Sequence, residues 1–318
     1  MSDFVIIPDA SSDLTKELRE RFQIPGYIRG TIYFPDGTEA AADLDWELID
    51  PETYYKSMSG RNVLYKTASA KRGEVISVYE RFLQEGKDIL AITLSSSLSG
   101  TYQVCRQVAQ ELMEKYPQRK IIVVDSLRYS TALSLLVIEA SRKQQAGWSL
   151  EETAAFVEQN KHRVHQIGPM DDMFFLVKTG RVSNFKAFFG TLMGINPMAD
   201  FNRKGLAQVL GKFKGKKRAF DAVIEYMKDT IEDPQEQVIF VAHSDREQLA
   251  QVLAQRVQEE FSPKEVVINH VGISCGASIG PGLCAVFYWG KEISENMEQE
   301  QALMDRIIEK QKKKEMSV

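Results

Sequence analysis

The sequence predicts an α/β protein of two domains. The first is built of βαβ units around a mostly parallel sheet, and the second carries a mixed or antiparallel sheet. Three observations lead there. A chain of 318 residues exceeds what one hydrophobic core usually serves. Through about residue 160, short apolar runs alternate with amphipathic stretches, as strands do when helices carry the chain to parallel neighbours. After Gly168-Pro169 the apolar runs crowd together, which suits antiparallel pairing. The domains are therefore placed at 1–165 and 166–294, with a charged tail over 295–318.

Taken in order, Phe4 to Ile7 reads as a buried first strand stopped by Pro8, and Ser12 or Asp13 as the cap of a helix running to about Phe22. Ile28 to Phe34 reads as a strand before the turn Pro35-Asp36-Gly37. A helix over 73–85 leads to an apolar strand from Asp88 to Leu94. Tyr102 to Tyr116 is an amphipathic helix, because Val104, Val108 and Leu112 recur every fourth residue on one face. Strand Ile121 to Val124 and helices near 130–145 and 149–162 complete the first domain.

In the second, Phe174 to Val177, Ile195 to Ala199 and Leu206 to Leu210 read as short strands, with Asn202 to Gly205 as a turn. Helices near 218–231 and 245–260 and strands at Val238 to Ala242, Glu265 to Asn269 and Cys284 to Tyr288 follow. The tail reads as a solvated helix ending in disorder.

Composition narrows the function. Forty basic against 44 acidic residues give a net charge of −4, without the basic excess of a general nucleic-acid or membrane-surface binder. The first residues lack a basic n-region, and no apolar run approaches the roughly 18 residues of a membrane helix. Cys105, Cys275 and Cys284 form no CxxC pair and read as buried free thiols of a cytoplasmic protein. The basic cluster Lys212, Lys214, Lys216, Lys217 and Arg218 reads as a solvated loop or a protein-docking patch.

Four stretches carry candidate chemistry. The run from Thr93 to Gln103, with Ser95, Ser96, Ser97, Ser99 and Thr101, sits between a buried strand and a helix. Its hydroxyls and free helical N–H groups suit a carboxylate or phosphate, or simply cap the helix. Lys66 to Ala70 is a second hydroxyl-bearing loop, with Thr67 and Ser69. In Lys178 to Ser183, Arg181 either binds an anion or bridges two loops. Around Gly280 and Gly282 the backbone either turns or approaches a ligand closely. Phe185, Phe188, Phe189, Leu192 and Met193 form an apolar stripe that serves as core or as the wall of a lipid tunnel.

Enzymatic signatures are incomplete. His162, His165, His243 and His270 fall in no metal-ligand spacing, and His162 and His165 read as surface residues at a helix end. The GxSxG spacing occurs at Gly272 to Gly276 and at Gly276 to Gly280, but no Walker loop or GxGxxG does, and the serines have no histidine placed as a base.

These residues resemble the DegV proteins, whose members include the fatty-acid-binding subunits of bacterial fatty acid kinase. Ser95 to Gln103 matches the signature SS-x-LSGTYQ. Asp9 to Ser12, Val124-Asp125-Ser126, Gly180 to Ser183 and Gly280-Pro281-Gly282 follow in the family's order. The resemblance implies a lipid carrier, not an enzyme, with one long-chain fatty acid between the domains as ligand and no cofactor or metal. It implies Thr67, Ser95 and Ser96 at the carboxylate, Ser278 and Gly280 beside it, and a separate ATP-dependent kinase as partner. Three departures stand out. The family's TSQPS reads Thr67-Ala68-Ser69-Ala70-Lys71, its histidine before GPG reads Ser278, and its K-x-R reads Lys212-Phe213-Lys214. A lipid sensor without a kinase, or a serine-dependent enzyme, are the competing readings.

Overall fold

The computed structural model describes residues 3–171, 173–183 and 195–316. Its first half contains β1 (Phe4–Pro8), α1 (Lys16–Arg21), β2 (Thr31–Tyr33), β3 (Glu39–Ala41), α2 (Pro51–Met58), β4 (Lys66–Ala68), α3 (Arg72–Gln84), β5 (Asp88–Thr93), α4 (Thr101–Lys115), β6 (Ile121–Asp125), α5 (Thr131–Gln145) and α6 (Leu150–Asn160). The second half contains β7 (Val164–Pro169), α7 (Phe174–Thr179), β8 (Ile195–Phe201), β9 (Ala207–Lys214), α8 (Lys216–Thr230), β10 (Val238–His243), α9 (Glu247–Phe261), β11 (Glu265–His270), α10 (Ile273–Ile279), β12 (Cys284–Trp289) and α11 (Glu298–Met316).

The first half is organised by a parallel sheet of order β1-β5-β6, registered Phe4 on Asp88 and Ile89 on Ile121. β1 and β5 are buried along their whole length, which is why their sequences are near-continuous apolar runs. A small antiparallel sheet, β3-β2-β4, stands beside it. The second half is one mixed sheet of order β11-β10-β12-β7-β8-β9, in which only β10 and β11 pair in parallel.

α5 joins the halves. Its sequence TALSLLVIEAS is buried on nearly every side, because it packs on β1 and β5 with one face and on β7 and β12 with another. A helix apolar all round belongs inside a protein, and this one is the layer between two sheets.

Several expectations are corrected. Phe174 to Val177 is the helix α7, not a strand; four apolar residues cannot reveal their period. Gly180 then ends that helix in the left-handed conformation, φ +73°. α1 is capped by Thr15, whose side chain accepts from the Leu18 N–H, rather than by Ser12 or Asp13. The tail is not a solvated helix: Leu303, Met304 and Ile307 are buried where α11 lies on α8 and β9. Its charged residues mask that narrow apolar stripe. His165 is also no surface residue; it stands on β7, 1% exposed, with Nδ1 2.7 Å from Asp200 Oδ2. Phe185, Phe188 and Phe189 lie outside the described residues.

Candidate functional site

A cavity of about 240 Å³ opens at the carboxyl ends of β1 and β5, where open α/β sheets usually take their ligands. Asp9 and Ser11 enter it from the loop after β1, and Thr67 to Ser69 from β4 and the loop beyond. Ser99, Gly100 and Thr101 come from the turn that opens α4. Tyr129 stands at the foot of α5, and Ser274 and Ser278 on α10 close the far side together with Arg181. Elements from both halves of the chain therefore build one polar chamber.

The hydroxyls form short chains along its wall. Ser99 Oγ lies 3.0 Å from Thr101 Oγ1, and Tyr129 Oη lies 2.6 Å from Ser278 Oγ. Tyr129 also donates to the Cys275 carbonyl at 3.1 Å. Hydroxyls of this kind both donate and accept, so the wall can reorient toward a ligand oxygen.

Asp9 is the carboxylate of the chamber. Its Oδ1 accepts from the Ser11 N–H at 2.8 Å and its Oδ2 from the Leu94 N–H at 2.7 Å. Burial pushes this carboxyl up to about 6, and those hydrogen bonds only partly oppose the shift. Arg181 is the one cation lining the cavity among the described residues, and its guanidinium donates to the Thr179 carbonyl.

Beyond Tyr129 lies a second pocket, about 50 Å³, lined by Met170, Leu176, Phe201, Ile279, Leu283 and Phe287. Tyr129 lines both spaces and stacks on Phe201 at 6.3 Å between ring centroids. A polar chamber thus adjoins an apolar one lined from the second sheet, the division of labour common in small-molecule sites.

The structure divides the residues expected at the head group. Thr67, Ser278 and Arg181 line the cavity. Ser95 does not: its hydroxyl is buried and donates to the Gly205 carbonyl at 2.9 Å. Ser96 is exposed, its N–H donating to Asp125 Oδ1 at 3.1 Å. Gly280 also lies off the lining, at φ +73°, where a Cβ would come within 2.1 Å of Phe175 Cδ2. It permits α7 to press against the end of α10. The serine loop therefore has two faces. Ser95 and Ser97 hold the β8–β9 turn, through the Gly205 and Lys204 carbonyls, while Ser99 and Thr101 face the cavity.

Sequence reasoning missed Asp9 and Tyr129 as site residues, and it named Ser69, Ser99 and Thr101 only as members of candidate loops, preferring Ser95 and Ser96. The position of Asp9 at the carboxyl end of the first parallel strand was a usable signal. Tyr129, four residues after the end of β6, offered none before the packing of α10 was known.

The profile of a family described as "Uncharacterised protein, DegV family" matches residues 3–291. The chain belongs to the DegV family. The DegV domain-containing protein CPE0026 of Clostridium perfringens is 33% identical over 290 residues, covering 91% of this chain and 98% of that protein. The DegV fold is shared with solved structures. One is a DegV family protein from Thermus thermophilus, described for its fatty acid binding, at TM-score 0.81 and 23% identity over 92% of this chain and 100% of that one. Another is DegV of Bacillus subtilis, described as a fatty acid binding protein, at TM-score 0.77 and 22% identity over 92% and 100%.

Proposed function

We propose that this DegV protein binds a long-chain fatty acid as a carrier, with its head group in the polar cavity and its acyl chain directed past Tyr129 into the apolar pocket. The observation that carries this reading is the adjoining of those two spaces at Tyr129, which lines both. The fatty acid binding described for the Thermus and Bacillus relatives supports it.

The energetics favour an acyl ligand. Each buried CH2 contributes roughly 0.8 kcal/mol, so about 14 methylenes give on the order of 11 kcal/mol gross. The hydroxyls then need only orient the head group, and Thr67, Thr101 and the Tyr129–Ser278 pair are placed to do so. The inner pocket of about 50 Å³ is much smaller than such a chain, so side chains of its wall must move on binding. Met170 and Leu176 suit that role, methionine most of all, being unbranched and adaptable.

A hydrolytic role is less well supported. Ser95 is committed to the Gly205 carbonyl, and none of the four histidines lines the cavity among the described residues. A nucleophilic serine needs such a base beside it. We place the acid as substrate for a separate ATP-dependent kinase in the cytoplasm, with this chain presenting it. Supplying a fatty acid kinase and ATP to the loaded protein should yield acyl phosphate, trapped as a hydroxamate; no product would limit the role to binding.

Organic extraction and mass spectrometry of the protein purified from cells test the carrier reading. One long-chain acid per chain is expected. Recovery of no acyl lipid, with no uptake of added hexadecanoic acid, would overturn it. Ester turnover abolished by Ser95→Ala would restore the hydrolase.

A further inference from the structure

Asp9 has no role in simply holding an anion, and its placement makes ionised carboxylates unwelcome. It is 2% exposed and lines the cavity directly. Each of its oxygens accepts one backbone N–H, which fixes the carboxyl and leaves lone pairs for a ligand. Among the described residues no ion pair reaches it. The titratable groups near enough to feel its charge are Asp13, Cys275 of α10, Tyr79 of α3 and Cys105 of α4. Tyr129 and Arg181 line the same cavity, and Arg181 donates to the Thr179 carbonyl while keeping its charge. Its surroundings are thus mostly neutral or acidic.

We propose that Asp9 selects a proton-carrying head group, so that a fatty acid is held with one proton shared between its carboxyl and that of Asp9. This rests on the acyl-lipid reading above and adds the charge state of the ligand. Two carboxylates about 4 Å apart repel by about 4 kcal/mol at an effective dielectric of 20. Neutral hydroxyls return only about 0.5–1.5 kcal/mol each, and the lining cation Arg181 makes no ion pair with Asp9 among the described residues that would offset the repulsion. Paired carboxyls in such sites titrate as a unit that keeps one proton. The elevated Asp9 carboxyl is in keeping with this. The proton comes from solvent as the ligand anion binds, and it returns to solvent when the ligand leaves. An uncharged alcohol of the same length supplies its own proton and needs none.

The test uses the delipidated full chain with hexadecanoic acid and hexadecanol, each kept below its aggregation concentration, between about pH 6 and pH 8.5. The acid should bind with an affinity that falls as pH rises, by up to about tenfold per unit where one proton is taken up. The alcohol should bind with no such slope. Asp9→Asn should flatten the acid's profile and tighten its binding at the alkaline end. Because Asp9→Asn loses one of two backbone hydrogen bonds and can misfold, calorimetry of the parent protein in buffers of different ionisation enthalpy gives an independent count. About one proton taken up per acid bound is expected near pH 7.5. No proton uptake, or the same pH slope in a folded Asp9→Asn variant, would overturn the proposal while leaving the carrier intact. Failure of both lipids to bind at any pH would instead overturn the acyl-lipid reading itself.

Discussion

Asp9 and Asp200 are the same residue type at nearly the same burial, 2% and 0% exposed, in two regions that treat charge in opposite ways. Asp200, on β8, accepts from His165 Nδ1 at 2.7 Å, from the Gln166 and Phe201 N–H groups at 2.9 and 2.7 Å, and from Tyr226 Oη at 3.2 Å. Burial works to raise its carboxyl, yet His165 and these donors hold it below the ordinary range. Asp9 accepts from two backbone N–H groups and, among the described residues, is in no ion pair, and burial wins. The difference is between a closed network and an open one. A buried carboxylate whose every lone pair is used serves as structure, while one that faces a cavity with capacity to spare is available to a ligand. Asp13, in the same region, goes further still. Burial pushes its carboxyl up to about 7, against the hydrogen bond from Ser130 and weaker ones from Gly272 and Cys275.

Asp200→Ala should produce the largest effect. It leaves His165 and two buried N–H groups without their acceptor, and losing one partner of such a pair costs about 3–5 kcal/mol. Urea or guanidinium unfolding measures it; a loss under about 1 kcal/mol would mean the closed network is not structural.

Asp13→Asn should act in the opposite direction. The folded value near 7 lies above the ordinary 3.8, so the folded protein binds the extra proton between about pH 4 and pH 7. Stability therefore falls as pH rises through that window, and the cost is fully present above it. The asparagine removes the titrating group, so the variant should be more stable than the parent at pH 8, on the order of 2–4 kcal/mol, with no gain at pH 4. Equal stabilities at both pH values would contradict the elevated Asp13 carboxyl.

Ser95→Ala sharpens the comparison within one loop. It strips the buried Gly205 carbonyl and the Ser97 N–H of a partner, so a stability loss of about 1–3 kcal/mol is expected, with little change in ligand affinity. Thr67→Ala should do the reverse, weakening hexadecanoic acid binding by about two- to tenfold, worth about 0.5–1.5 kcal/mol, while leaving stability near that of the parent. If Ser95→Ala weakens binding more than Thr67→Ala does, the head group reaches the inner face of the loop. Arg72→Ala should have the smallest effect. Its pairing with Glu111 is half exposed on both sides, and such pairs are worth about 0–1 kcal/mol.

The sequence by itself determined the most buried strands, because β1, β5, β10 and β12 are buried on both faces and need unbroken apolar runs to be so. It also determined where a polar site could form, since hydroxyl-rich loops follow a buried strand at Thr93 and flank Thr67. Tertiary structure alone decided which hydroxyls face the cavity. Ser95 and Ser99 are four residues apart in one loop, and what separates their roles is that the β8–β9 turn, more than 100 residues later, covers one and not the other. Asp9 and Asp200 likewise look alike in sequence. Their opposite charge behaviour comes from partners brought in by the sheets, because desolvation and hydrogen bonding depend on what surrounds a carboxyl in space and not along the chain. The burial of α11 and of His165 follows the same logic: a narrow apolar stripe or a single polar residue becomes core only when another element arrives to cover it.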